Sequence, residues 1–373
     1  MTDSRSKERA AMSENTSETI GCDLGDKKSH LALLDERGEV KKRATVRTTP
    51  GAMKEYFTRA AAHVVIECGA HSRWVSELLI GLGHRVTVAN PRRVKLISES
   101  DSKDDPHDAE LLGRLGRADV KLLAPIQHRP AQAQADLASA KARDTLVASR
   151  TKLVNHVRAT VKSFGEALPK CEAESFVRHT RQLIPTMLKA ALDPLYEVLE
   201  KLNEQIKAQD KLIERIAKKY PDVERISQPK GVGTLTALVF MLTIEDKERF
   251  KDSRMVGAYL GLRPRRKRSG EQDPQLRITK AGDPFTRKLL VNAANYVMGP
   301  FGADSDLRQW GKKLAERGGK NAKKRATVGV ARKLAVLMHR LWVTGEDYEP
   351  LGYHKRQAEE RRAAAAEKKQ AAA

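Results

Sequence analysis

Cysteine is scarce: Cys22, Cys68 and Cys171 are the three in 373 residues, widely separated and without a CxxC pair. That spacing argues against a disulfide framework and a cysteine-ligated zinc site, and leaves thiols expected to be reduced. Aromatic residues make up 5% of the chain, too few for a surface that reads bases mainly by stacking. Trp74, Trp310 and Trp342 therefore read as core anchors on helical segments. No apolar run approaches the roughly 20 residues of a membrane span, and residues 1–18 lack the apolar core of a signal peptide. A cytoplasmic chain without a membrane partner is expected. Negative charge is also in deficit, with 48 Asp and Glu against 70 Lys and Arg, a net charge of +22. So much positive charge repels itself unless a polyanion neutralises it, which points to nucleic acid.

What is present is enough for two or three domains with real cores, since 40% of residues are hydrophobic. The first third reads as three strands (residues 20–24, 30–34 and 40–46) with a turn at Asp35-Glu36-Arg37-Gly38. A helix from Thr49-Pro50, a strand at 63–67, a helix at 72–82 capped by Ser72, and a strand at 85–89 follow. The order is βββαβαβ, then a helix, the pattern of an α/β RNase H-like fold. Such a fold would bring Asp23, Glu67, Asp105 and Asp108 together. Metal-assisted phosphoryl transfer needs hard oxygen ligands and two ions roughly 4 Å apart, which four carboxylates can hold. Asp105 and Asp108 share a helix face. They fit a plain helix start equally well, with Asp105 as N-cap and Pro106 at the first position. His71, His84 and His107 are too irregularly spaced for a metal site and read as surface or phosphate-contacting groups.

Beyond residue 128 long helices dominate. A helix over 131–164 precedes an apolar series, Leu188, Leu192, Leu195, Leu199, Leu202, Ile206, Ile213 and Ile216, in alternating steps of four and three broken only by Gln209. This is a coiled-coil seam. Asp193-Pro194 reads as the start of its uninterrupted helix, and the seam could close within one chain or between two. Further on, Gly231 and Gly233 lie in a turn before an apolar helix, where free N–H groups could meet a phosphate, as in a helix-hairpin-helix element. An empty turn is the competing reading. The densest basic stretch follows: Arg265, Arg266, Lys267 and Arg268, then Ser269-Gly270, with Lys280 and Arg287 beyond. Cations around a small hydroxyl suit phosphate binding, and guanidinium groups can stabilise a pentavalent phosphorus. A flexible Ser-Gly turn is the alternative, since no neighbouring histidine supplies a base.

Gly21-Cys22-Asp23-Leu24-Gly25-Asp26-Lys27, Val65-Ile66-Glu67-Cys68-Gly69, the stretch from Gly83-His84-Arg85 to Ala89-Asn90-Pro91, and Lys103-Asp104-Asp105-Pro106-His107-Asp108-Ala109 occur in that order. With Tyr259-Leu260-Gly261-Leu262-Arg263-Pro264, Arg268-Ser269-Gly270 and Arg277-Ile278-Thr279-Lys280-Ala281-Gly282-Asp283, the chain resembles the DEDD transposases of bacterial insertion sequences, the bridge-RNA-guided recombinases. Asp104 departs from the threonine usual there. The resemblance covers nearly all of residues 18–350. It implies a RuvC-like acidic domain holding Mg²⁺ or Mn²⁺ on Asp23, Glu67, Asp105 and Asp108, and Ser269 as nucleophile forming a phosphoserine with DNA. It also implies a guide noncoding RNA, a homo-oligomer (dimer or tetramer) in which one protomer's serine domain completes another's acidic site, and a nucleoid-associated bacterial protein.

The expected organisation is a disordered N-terminus (1–17), a RuvC-like domain (18–128), an all-α coiled-coil connector (129–222), a mostly α-helical serine domain (223–350) and a charged tail (351–373). The alternative is a Holliday-junction-type nuclease that hydrolyses with the same four carboxylates and has no use for Ser269. An actin-like sugar kinase would need a later Gly-rich phosphate loop on a strand pair, which the sequence lacks. A catalytically silent nucleic-acid scaffold would need neither group.

Overall fold

The computed structural model describes residues 18–97, 105–267, 269, 274 and 276–352, without the side chains of 95–97 and 105. The N-terminal segment 1–17, Lys103, Asp104, Arg268 and the tail beyond 352 lie outside the described residues. The chain divides into two compact units between His128 and Arg129.

The first unit is built on one mixed sheet of five strands: β1 (Thr19–Asp23), β2 (Lys28–Leu34), β3 (Val40–Arg47), β4 (His63–Glu67) and β5 (Arg85–Ala89), in the order β3-β2-β1-β4-β5. β1, β2 and β3 are antiparallel neighbours, whereas β1, β4 and β5 run parallel. The β2–β3 turn forms as its residues dictate. Asp35 Oδ1 accepts from the N–H groups of Arg37 and Glu39, and Gly38 takes the left-handed φ of 85°. Between the parallel strands run α1 (Pro50–Phe57), which Thr49 caps, and α2 (Ser72–Gly81). Ser72 is not the N-cap: His71 holds that place, and the serine hydroxyl donates to Gly69 O at 2.8 Å within the preceding turn.

Strand alternation divides the sheet's side chains between two cores. Ile20, Cys22, Leu31, Leu33, Val64 and Ile66 pack with Met53, Phe57, Val75 and Leu79 of α1 and α2. Val65 and Ala89 pack on the other face with Val94 of α3 (Pro91–Ile97) and with Leu112 and Leu115 of α4 (Asp105–Ala118). This mixed, doubly covered sheet fits an RNase H-like fold. Burial pushes the Cys22 thiol far up, so it stays protonated and inert.

The second unit is helical. α5 (Ala131–Ser163) and α7 (Thr186–Ala217) pair within the chain, with the short α6 (Phe176–Thr180) between them. Arg143 Nε donates to Asp210 Oδ1 at 2.8 Å and Arg150 Nη1 to Asn203 Oδ1 at 2.8 Å. Rising numbers on one helix against falling numbers on the other make the hairpin antiparallel. Within one chain, then, the two helices close on each other. The helix also begins earlier than its proline signals: α7 runs through Pro194. Leu188 and Leu192, upstream of the proline, are buried with Val154, Val157 and Val161. Each buried leucine is worth about 1.5–3 kcal/mol, enough together to offset the roughly 3 kcal/mol cost of an interior proline.

At the hairpin's other end, Leu137, Ala140, Ile213 and Ile216 share a core with α8 (Asp222–Ile226), α9 (Thr234–Ile244), α10 (Arg254–Tyr259), α11 (Pro284–Met298), α12 (Asp306–Glu316) and α13 (Ala322–Thr344). α9 is buried from Thr236 to Ile244 on every side and forms the axis of that core. Among the described residues no helix is long and apolar enough to cross a membrane.

Candidate active site and the serine ribbon

β1 and β4 lie parallel with Cys22 beside Ile66, so one step further Asp23 and Glu67 end adjacent strands. Alternation places them on the same face as Gly21 and Val65, the face that α4 covers. The helix lies unusually close. A Cβ on Gly21 would stand 1.9 Å from the Ala109 carbonyl oxygen and 2.5 Å from Gly113 N. One on Gly113 would meet Leu34 Cδ1 at 2.4 Å, and one on Gly116 would meet Val65 Cγ2 at 2.4 Å. Gly21 and Gly113 thus let helix backbone rest on strand backbone, and Gly116 makes room for the Val65 side chain. Asp108 directly precedes Ala109, the residue seated on Gly21.

The charges report the result. The Glu67 carboxyl is raised above its ordinary range, first by burial and then by repulsion from Asp23 and Asp108. Three of the four carboxylates therefore share one electrostatic neighbourhood, at the ends of two strands and the start of a helix. Asp105 opens α4 one turn before Asp108, with its side chain outside the described residues. Glu110 on the same helix is committed elsewhere: Arg43 at 2.6 Å and Arg114 at 2.9 Å hold its carboxyl below the usual range. Among the described residues no group of three or more His, Cys, Asp or Glu is placed to hold a metal ion. Asp23, Glu67 and Asp108 are spaced for electrostatic coupling. Their carboxylate oxygens are hard donors, the type a divalent ion takes.

Of the nearby histidines, His84 is neither surface nor phosphate-contacting. It is 4% exposed. Its Nδ1 accepts from Ala62 N–H at 3.1 Å, and Nε2 lies 2.8 Å from the Phe57 carbonyl oxygen, so the ring ties a strand entry to the end of α1.

In the second unit, Gly231 has φ of 97° and packs on α11, where a Cβ would stand 3.0 Å from both the Ala293 oxygen and the Tyr296 ring. Gly233, the N-cap of α9, is exposed with open space beside it and no side-chain cap. The two glycines thus differ: one is a packing residue, the other leaves the helix start accessible.

Arg265, Arg266, Lys267 and Ser269 are all exposed. They stand on a ribbon laced by main-chain bonds from Arg265 N to Arg277 O (2.9 Å), Thr279 N to Arg263 O (2.9 Å) and Lys280 N to Gly261 O (3.1 Å). Lys280 takes a left-handed φ of 54° where the ribbon rejoins the core. Arg287, on α11, is half-buried, with its Nη1 bonded to main-chain oxygens of Leu260 and Ala281. Sequence reasoning missed the role of Gly21, Gly113 and Gly116. The signal was two glycines three apart inside a helix, an expensive choice unless something must approach closely.

Residues 20–165 match the IS110-type DEDD transposase family, described as Transposase, and residues 223–306 match the Transposase IS116/IS110/IS902 family. The chain is 31% identical over 348 residues to the transposase for insertion sequence element IS1111A of Coxiella burnetii, covering 88% of this chain and 90% of that one. It is 26% identical to a probable family 20 transposase of Pseudomonas aeruginosa, over 89% and 98% of the two chains. It is 27% identical to the transposase for insertion sequence element IS1328 of Yersinia enterocolitica, over 75% and 83%. With that coverage and the acidic strand ends in place, the chain belongs to the IS110-type DEDD transposases of insertion sequences, enzymes that cut and join DNA.

Proposed function

We propose that this transposase recombines DNA through a covalent phosphoserine on Ser269, with Asp23, Glu67, Asp105 and Asp108 as its metal-binding carboxylates. The observation that carries the acidic half is geometric: Asp23 and Glu67 end adjacent parallel strands, and Ala109, next to Asp108, is seated on Gly21 of the first. A bound Mg²⁺ or Mn²⁺ would supply Lewis-acid stabilisation of charge on the scissile phosphate. The Ser269 oxygen bonds to phosphorus as a bridging P–O bond of the DNA breaks, and the serine proton ends on the departing sugar oxygen. Attack by a sugar hydroxyl of the partner strand reverses these changes, so that rejoining needs no water. Arg265, Arg266, Lys267, Arg268 and Lys280 neutralise the phosphates flanking the serine, and the Gly231–Gly233 turn offers a helix start to another.

Residues 18–128 act as the RuvC-like acidic domain, 129–222 as connector and 223–350 as the serine domain. An element-encoded RNA that selects donor and target by pairing, and a dimer or tetramer in which protomers complete each other's chemistry, follow from the family resemblance. The net charge of +22 supports a large polyanionic partner. Membership among transposases does not favour a junction nuclease acting by hydrolysis.

The test is a denaturing gel of labelled donor DNA incubated with protein, Mg²⁺ and RNA transcribed from the element's flanks. A protein-linked DNA band is expected from wild type and from neither Ser269→Ala nor Asp23→Ala. Cleavage without that band, surviving Ser269→Ala, overturns the nucleophile.

A further inference from the structure

We infer that Arg287 is a positioning residue that clamps the base of the ribbon carrying Ser269, and that its guanidinium serves the fold of the site and not a phosphate. The inference rests on Ser269 as nucleophile for its catalytic consequence, and on geometry alone for the clamp.

The ribbon leaves the core at Leu260 and returns at Ala281. Leu260 and Leu262 are buried (0% and 1% exposed), whereas Arg263, Arg265, Arg266, Lys267 and Ser269 are exposed. The base, with Leu260 and Leu262 buried, and the half-buried Ile278 hold the ribbon to the core. At the base the two chain segments touch backbone to backbone. A Cβ on Gly261 would stand 2.2 Å from both N and O of Ala281, and one on Gly282 would stand 2.2 Å from Tyr259 O. Both glycines have left-handed φ, 71° and 68°, which lets the segments cross without side chains between them.

Arg287 bridges this crossing. Its Nη1 donates to Leu260 O at 3.0 Å on the outgoing segment and to Ala281 O at 2.7 Å on the returning one. One nitrogen of the permanently charged guanidinium thus ties the outgoing and returning segments together. The clamp is itself anchored. Asp283 Oδ1 accepts from Thr286 N (2.8 Å) and Thr286 Oγ1 (3.0 Å), and Thr286 Oγ1 lies 2.7 Å from Thr243 Oγ1 on the central helix α9. Position is thereby relayed from the core axis through the start of α11 to the ribbon base.

The test measures amide hydrogen exchange at Arg265, Thr279 and Lys280, the ribbon's ladder donors, in wild type, Arg287→Lys and Arg287→Met, with α9 amides as the folding control. The same proteins are assayed for DNA–protein adduct formation and for DNA affinity against salt. Both variants are expected to lose ladder protection while keeping that of α9. Adduct formation should fall by on the order of 10²-fold in Arg287→Met, as for a reacting atom displaced by about 1 Å. DNA affinity should stay within about twofold. Arg287→Lys keeps the charge but carries it on a shorter, more flexible stem, so it should rescue adduct formation only in part. Unchanged ladder protection overturns the clamp. So does a weaker, less salt-dependent DNA affinity in Arg287→Met that Arg287→Lys restores, the mark of a phosphate contact. Because exchange reads the clamp without chemistry and Ser269→Ala reads the nucleophile without the clamp, failure of either is distinguishable from failure of the other.

Discussion

Glu67 shows what the acidic site costs the protein that carries it. Its carboxyl binds a proton more tightly in the folded state than its ordinary value of 4.5, because burial and the charges of Asp23 and Asp108 oppose ionisation. At pH well below 4.5 the group is protonated folded or unfolded, and it contributes nothing to the balance. As pH rises from there through the raised folded value, the unfolded chain ionises more readily and the folded state loses stability. Glu67→Gln should therefore raise the melting temperature at pH 7, with the gain vanishing near pH 4, while DNA cleavage falls by at least about 10²-fold. Added Mg²⁺ should raise the wild-type melting temperature more than that of the variant. Thermal melts at pH 4 and pH 7, with and without Mg²⁺, check this, and a variant that melts lower than wild type at pH 7 would sink it. The sequence nominated Asp23, Glu67 and Asp108 from strand ends and a helix start. It held no sign that Glu67 would be repelled by the other two, because that depends on a contact between β1 and α4.

That contact belongs to the element scale. Strands 63–67 and 85–89 were legible to the residue, since short apolar runs bounded by glycine and turn signals admit few other readings. α4 carries Asp108 to the sheet because Gly21 lets the Ala109 carbonyl approach its backbone. Gly21→Ala should push the helix outward, lower stability by about 1–3 kcal/mol as overpacked cores do, and cut DNA cleavage with it. Gly69→Ala, where a Cβ meets nothing within 4 Å, should stay within about 0.5 kcal/mol. Urea melts of the two variants make the comparison, and equal losses would refute the close-contact argument. The element the sequence misplaced was the start of α7. Asp193-Pro194 carries a strong local start signal, and the burial of Leu188 and Leu192 against the facing helix overrides it. Proline chemistry is local, but the partner helix that outweighs it lies some thirty residues away in the chain.

For the whole molecule, a net charge of +22 makes phosphate neutralisation a dominant part of DNA affinity. If six to ten phosphates are contacted, affinity should fall by roughly 10³–10⁵ between 50 and 200 mM salt. A titration at several salt concentrations measures the slope, and a nearly flat one would show that the positive charge serves something other than DNA. Composition, charge and the order of strands and helices are properties of the chain itself, so the sequence alone determined a basic, helix-rich protein with an α/β domain carrying four spaced carboxylates and a cationic segment around Ser269. Tertiary structure decided that Asp23 and Asp108 act on Glu67, that Gly231 packs on α11, and that Arg287 bonds to Leu260 and Ala281. These are outcomes of approach between residues distant in sequence, set by the close packing of backbones and cores, and no local pattern encodes a distance across the fold.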